Sequence, residues 1–295
     1  MRVAVLCGRS PRSIYVANAL CAGLNVRCVI CEVGREYSWK KVRANVTPAT
    51  IRAKLYRRVQ PYLFPPDVDQ GRFFFPDNKP HFAEPRLVHQ VAHINAPVVV
   101  ELLERHKIDL VAVFGTSLIR SPELFQLMPG RVLNLHGGLS PWYRGADSTF
   151  WALYNNEIEK VGCTIHRINR RIDAGELLAH VCPAIEPGDR EHLLLCKAIK
   201  AGARVYVTMI QRIARGEAVG VPQPSGGKLY LFRDRRLEHD RALQRMYAEG
   251  RFDRIRVPER ITSYCAGAPE AVDAVSPGGA AVSECVAEAG ARWHR

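Results

Sequence analysis

No stretch of about 18 consecutive apolar residues occurs in the 295 positions, so no hydrophobic helix of bilayer-spanning length is expected. The N-terminus, MRVAVLCGRSPRS, lacks a small-residue cleavage site. Its short apolar run before an Arg-rich turn reads as the first strand of the fold, not as a signal peptide. Acidic residues are scarce, 29 against 42 Lys and Arg, and the formal charge of +13 implies an affinity for polyanions or phosphorylated substrates. A long basic tract is missing, however. The arginines scatter over 57–58, 170–171, 233–236 and 251–256, so a solvated basic surface accounts for the charge as well as a nucleic-acid face does. The nine cysteines are an odd number, mostly inside apolar runs, in a chain large enough to fold without a disulfide framework, which fits a reduced, cytoplasmic compartment. Cys28 and Cys31 would point to opposite faces of a strand, and no second Cys/His pair stands at metal spacing, so no metal is expected.

Missing motifs narrow the chemistry further. The turn after the first strand, Cys7–Ser13, holds one glycine where a dinucleotide site needs G-x-G-x-x-G. Lys228 follows Gly226-Gly227, but Pro222 stands where a P-loop places its first glycine. Gly137-Gly138 after His136 has the form of an esterase oxyanion loop, yet the chain has no G-x-S-x-G elbow and no H-E-x-x-H. A nicotinamide enzyme, a P-loop ATPase, a serine esterase and a zincin are thereby excluded.

What is present is a globular composition, 47% hydrophobic and 24% charged, in a chain long enough for one large α/β domain with an appendage. Residues 2–7 read as a buried strand, 13–22 as a helix and 25–32 as a second strand, the opening of an open, mostly parallel twisted sheet. The segment of about 34–86 breaks that rhythm. It holds a basic helix capped by Thr47 with Pro48 in its first turn and ending before Pro61, then a Pro- and Phe-rich surface excursion. Alternation resumes with strands near 89–94, 109–115, 131–136, 160–167 and 176–184, and helices near 97–106, after Ser121-Pro122, at 147–155 and at 189–215. A small C-terminal extension over 218–264 follows the 1–217 domain, with a strand at 228–233 and a helix from about 236 that offers a homodimer contact. Residues 265–295, rich in Ala, Gly and Val, read as a poorly ordered tail.

The stretch RVLNLHGGLSPWYRG, residues 131–145, carries two polar side chains in an otherwise apolar strand. Residues two apart share a strand face, so Asn134 and His136 project together at the carboxyl end, where open parallel sheets bind ligands. The glycine pair lets backbone approach a bound molecule. Asp173, between two apolar strands and followed by Ala174-Gly175, can reach the same edge. Either polar strand residue alone needs only one partner to be tolerated in a core, and Asp173 alone would serve as an Asx-turn. Together the three supply an amide donor, a titratable imidazole and an acid that orients it. That set suits acyl-type transfer, in which a carbonyl is polarised, a tetrahedral oxyanion stabilised and a proton taken from an attacking amine.

N-x-H in a strand, an L-x-P-x-Y-R-G-type turn and a later D-x-G resemble the 10-formyltetrahydrofolate-dependent formyltransferase family. The matching pieces are Asn134-Leu135-His136, Leu139–Gly145 and Asp173-Ala174-Gly175; the likeness covers about 90–215 well and the first two strands more loosely. It implies the family's Rossmann-like formyltransferase fold and 10-formyltetrahydrofolate as formyl donor. It implies that Asn134 and His136 hydrogen-bond the formyl oxygen while Asp173 sets the imidazole's protonation and holds a relaying water. The pterin would rest on backbone groups of Leu118-Ile119-Arg120 and Arg170-Arg171-Ile172, with Gly137 and Gly138 beside it. One departure stands out: relatives carry His-x-Ser-Leu-Leu-Pro, and this chain has Gly138 at the serine position.

The resemblance leaves the acceptor amine open among methionyl-tRNA, a nucleotide-linked amino sugar and N-hydroxyornithine. The family's tRNA enzymes carry a β-rich C-terminal domain that the extension here does not match, whereas the small purine-pathway enzymes lack both the excursion and the extension. The nucleotide sugar is therefore the first expectation, with tRNA the one nucleic acid to test. Its phosphates would meet the turn Gly8-Arg9-Ser10-Pro11-Arg12-Ser13 at a helix start, Gly8, Arg9 and Ser10 foremost, and Trp142, Tyr143 and Arg144 would flank the sugar or base. A non-catalytic, basic nucleic-acid-binding protein is the alternative of another class; binding phosphate would require none of Asn134, His136 and Asp173.

Overall fold

The computed structural model describes residues 1–34, 47–169, 171–217, 220–265 and 268–271. Part of the expected excursion (35–46), Arg170 and most of the expected tail lie outside them. Strand β1 (Val3–Gly8) is buried along its whole length, and α1 (Pro11–Gly23) starts three residues later, with the Ser10 hydroxyl accepting from the Ser13 amide and Pro11 in the first turn. β2 (Val26–Glu32) then returns parallel to β1, completing a strand–helix–strand unit. Helix α2 (Pro48–Leu63) begins with a reciprocal Thr47–Thr50 capping box but does not stop before Pro61 as expected. The proline removes only its own amide, and the Phe64 N–H still reaches Gln60 O at 2.8 Å, so the last turn closes around it. A short helix α3 (Gln70–Phe74), capped by Asp69, packs Phe74 against Tyr15 of α1 at 4.9 Å between ring centroids.

The rest of the order is β3 (Val88–Val91), α4 (Pro97–Arg105), β4 (Leu110–Phe114), α5 (Pro122–Leu127), β5 (Val132–His136), β6 (Tyr143–Gly145), α6 (Ser148–Tyr154), β7 (Cys163–Arg167), β8 (Leu177–Cys182), α7 (Glu191–Ala214), β9 (Lys228–Tyr230), α8 (Leu237–Ala248), β10 (Arg260–Cys265) and β11 (Ala268–Ala271). Among the described residues nine strands form one sheet in the order β11-β10-β8-β7-β5-β4-β1-β2-β3. The run from β3 to β5 is parallel throughout, and each pair beyond β5 is antiparallel. β8 and β11 therefore regain the first direction, and only β7 and β10 oppose it. The expected strand at 228–233 is shorter, and it pairs with β6 in a separate two-stranded ribbon rather than joining the main sheet.

Two apolar layers sandwich the sheet. Val5, Cys7, Leu133, Leu135 and Ile165 pack under α1 and α7, while Leu6, Ile30, Val111 and Val113 pack under α4 and α5. Cys31 belongs to the first layer and Cys28 to the second, so the pair points to opposite faces. At the site end of the sheet, the fully buried Tyr206 of α7 inserts its hydroxyl between β4 and β5. It accepts from Val113 N at 3.0 Å and donates to Leu133 O at 2.8 Å, taking the place of a ladder bond and opening a crevice beyond. No helix among the described residues is long and apolar enough to cross a membrane.

Candidate active site

Strand alternation places Asn134 and His136 of β5 on one face, with Leu133 and Leu135 turned into the core on the other. The antiparallel register sets His166 of β7 opposite Asn134 and Thr164 opposite His136, and His180 of β8 opposite Thr164. One face of three adjacent strands is thus polar at the carboxyl end of β5. Thr164 pins the turn after β5, donating to Gly138 O at 2.7 Å and accepting from Ser140 N at 2.9 Å.

Asp173 reaches this face from the β7–β8 loop and stands between the two imidazoles. Its Oδ2 is 3.3 Å from His136 Nδ1 and accepts the Gly145 amide at 3.0 Å, and its Oδ1 is 3.4 Å from His166 Nε2. Burial raises the cost of its charge, but His136, His166 and the Gly145 amide outweigh that and hold the carboxyl well below the usual carboxylate range. Asp173 adopts a left-handed backbone, φ 47°. Gly175 then passes directly over the Arg167 carbonyl, where a Cβ would lie 2.7 Å from the carbonyl carbon. That close approach is the physical reason for glycine in the D-x-G motif.

Hydrogen-bond roles follow from the fixed partners. His166 Nδ1 is 2.8 Å from Arg167 O and must donate to it. Its Nε2 lies 3.1 Å from Asn134 Nδ2, which donates to it when the ring is neutral, and 3.4 Å from Asp173 Oδ1, to which a charged ring donates instead. This turns the Asn134 amide so that its second N–H remains to donate. His136 presents Nε2 to Tyr143 O at 3.1 Å.

These groups form the floor of a cavity of about 760 Å³, within the range of small-molecule sites. Of the sequence-predicted residues, Asn134, His136, Asp173, Leu118, Ile119, Arg120, Gly137, Arg171 and Ile172 line it, and Arg170 lies outside the described residues. Gly138 does not line it: a Cβ there would meet Ser148 Oγ at 2.5 Å and Tyr143 O at 2.6 Å, so the residue is packed beneath the floor. Neither Gly8, Arg9 and Ser10 nor Trp142, Tyr143 and Arg144 form the cavity wall. Trp142 packs on His180 at 5.6 Å, and the buried Tyr143 stacks on Tyr230 with its hydroxyl bound to Glu157 and Asn155. Of the first turn, Arg12 is the residue that enters. Burial pulls its guanidinium below the usual arginine range, and among the described residues no carboxylate pairs with it.

The loop carrying Leu118 and Arg120 is rigidly held. Asn95 donates to Leu118 O at 3.0 Å and accepts from Arg120 N at 2.6 Å and Ser121 N at 3.1 Å. The buried Glu32 carboxylate joins the Ser117 and Ile94 amides. Two of the backbone groups expected to meet a pterin are therefore engaged within the protein. Residues not singled out from the sequence are His166, Ser148 and Thr149, the last a cavity residue whose buried hydroxyl has no partner among the described residues. Among the described residues no group of three or more His, Cys, Asp and Glu is arranged to hold a metal ion.

Residues 20–210, which contain the Asn134, His136 and Asp173 cluster, match the family model described as formyl transferase. The chain belongs to the formyl transferase family. Over 136 residues this formyl transferase is 32% identical to methionyl-tRNA formyltransferase of Chlorobium chlorochromatii, a match covering 46% of the chain and 43% of that relative. The chain thus spans less than half of the curated relative's length. Its fold is that of a sugar N-formyltransferase from a Shewanella species, at 16% identity and TM-score 0.51 over 83% of this chain and 87% of the other. It is also that of phosphoribosylglycinamide formyltransferase from Anaplasma phagocytophilum, at 19% identity and TM-score 0.50 over 78% and 96%.

Proposed function

We propose that this formyl transferase moves a formyl group from 10-formyltetrahydrofolate to the primary amine of a nucleotide-linked amino sugar. The carrying observation is the ionised Asp173 held between His136 and His166 at the floor of a cavity, with the Asn134 amide beside it. The cavity fits the folate. Leu118, Ile119, Ile168 and Ile172 give it an apolar wall for a flat ring, and the Thr149 hydroxyl, without a partner among the described residues, supplies a polar contact. When bound, the folate supplies an activated formyl carbon. The free N–H of Asn134 donates to the formyl oxygen as attack makes it anionic, with the His136 ring alongside. Asp173 draws the His136 ring into position and holds a water that relays the proton released by the attacking amine to the departing nitrogen of tetrahydrofolate, as the bond from that nitrogen to the formyl carbon breaks.

Arg12, which no carboxylate among the described residues pairs with, supports an acceptor that carries a negative group, because a half-buried guanidinium without a counter-charge is costly. The sugar N-formyltransferase whose fold this chain shares supports the sugar reading. The charge of +13 and the methionyl-tRNA relative favour a second reading, with charged tRNA as acceptor. We assign the transferase to residues 1–217 and a supporting role to 218–264. The test is to incubate the protein with 10-formyltetrahydrofolate and a panel of amines, following tetrahydrofolate release. Turnover with amino-sugar nucleotides and not with methionyl-tRNA or N-hydroxyornithine supports the proposal; turnover with tRNA alone overturns the acceptor.

A further inference from the structure

His136 has a partner problem. Its Nδ1 faces the Asp173 carboxylate and its Nε2 faces the Tyr143 carbonyl, and both oxygens can only accept. The imidazolium satisfies the two contacts at once. A neutral ring with its proton on Nδ1 would set a lone pair against the Tyr143 oxygen, in a place where the ring is 8% exposed and water is largely excluded. A residue that must pass a proton, or orient one that passes, needs both states to be tolerable.

Ser148, the first residue of α6, stands at that nitrogen. It is buried, and its Oγ is 3.4 Å from His136 Nε2 and 3.3 Å from Tyr143 O. A hydroxyl both donates and accepts, and it rotates between the two at little cost. With a charged ring, Ser148 donates to Tyr143 O; with a neutral ring, it turns and donates to Nε2. The room for it comes from Gly138. A Cβ at 138 would collide with the Ser148 Cβ and the Tyr143 carbonyl oxygen as well as lie 2.5 Å from Ser148 Oγ, so the turn has no room for a side chain at 138 while Ser148 stands there. The missing side chain in the turn after β5 and the hydroxyl at the head of α6 are thus one packing solution.

We propose that Ser148 is a positioning residue for His136, a hydroxyl that sustains the neutral imidazole at Nε2 from the space vacated at Gly138. The proposal rests on the formyl-transfer reading only for its consequences on rate. The other charged and titratable groups around the ring are placed differently. Asp173 and His166 stand on the Nδ1 side. Asp147, the residue before Ser148, is tied to Arg57 and Arg235, and Arg12 comes from α1 into the same cavity.

The test is an NMR pH titration of the His136 ring in the unliganded protein, for wild type, Ser148→Ala and Ser148→Thr. Removing the hydroxyl leaves only acceptors around the ring, so in Ser148→Ala the midpoint moves up by about half a unit to one unit. Ser148→Thr, which keeps the hydroxyl, returns it toward wild type. If transfer is observed, the acid limb of the kcat profile moves with the midpoint in Ser148→Ala while KM for the folate holds. An unchanged midpoint in a folded Ser148→Ala protein, or a Thr variant that titrates like Ala, overturns the proposal. Since the titration needs no substrate, an absence of formyl transfer with every amine would sink the proposed function and leave this result standing.

Discussion

At Asp173, burial and neighbouring charge pull in opposite directions, and the site depends on charge winning. Asp173→Asn keeps the shape but loses the anion that orients His136, so activity falls by about 10²–10⁴-fold with little change in folate binding, measurable as a kcat loss at constant KM. Gly175→Ala drives a methyl into the Arg167 carbonyl and displaces the Asp173 loop; it lowers activity as strongly while Asp173 itself is untouched, a result kinetics would read. Asn134, His136 and Asp173 were legible because polar residues two apart in an apolar strand and an acid in the following loop point to one sheet edge. His166 was passed over because its strand, KVGCTIHR, reads as simply apolar. Yet Thr164-x-His166 repeats the alternation of Asn134-x-His136, and that signal could have found it. Arg9 and Ser10 were named ahead of Arg12 because a turn does not disclose which of its side chains folds back over the sheet; Ser10 is spent as the α1 cap.

Between elements, Arg235 carries the tightest arrangement. It is 3% exposed, pairs with Asp240 and Glu191 at 2.6 Å each, and lies over the Phe150 ring at 3.7 Å. Tyr56 and Gln60 of α2 reach Asp240, and Arg57 reaches Asp147 just before α6. The excursion helix and the C-terminal extension are thereby joined beside the cavity. Arg235→Ala strands two carboxylates and is expected to cost about 3–5 kcal/mol, read from urea unfolding midpoints. Replacing Tyr206 by Phe leaves Val113 N and Leu133 O without their bridge, at about 1–3 kcal/mol in the same assay. Most elements were legible from periodicity and caps. The course of α2 through Pro61 was not, because a proline near a helix end is decided by the turn that follows it. The pairing of β9 with β6 was not, because three residues carry too little pattern to say which strand they join.

Across the whole molecule, the added strand β10 ties the extension to the site turn through His180, whose Nε2 donates to Ser140 O at 2.7 Å while Nδ1 accepts from Tyr264 at 2.7 Å. Burial lowers this histidine from the ordinary 6.5 to about 4. The unfolded chain therefore binds the proton first. Stability that is full above pH ~6.5 declines as pH falls toward 4, by on the order of 3 kcal/mol, and the depressed Asp173 adds a further loss below ~3.9. Melting temperature measured from pH 7 to 4 should fall, and His180→Gln should flatten that slope. The parallel half of the sheet and its ligand edge were readable from strand–helix alternation. β10 and β11 were not, because an antiparallel edge built after a long irregular segment leaves no local signature.

In the proposed reaction Asn134, His136 and Asp173 act together on a formyl group delivered by the folate. The most direct measurement is tetrahydrofolate release from 10-formyltetrahydrofolate in the presence of an accepted amine, compared between wild type and His136→Ala. Release matched one for one by formylated amine is expected in wild type, with a loss of about 10²–10⁴-fold in the variant. Equal release by the two proteins would contradict the proposed reaction.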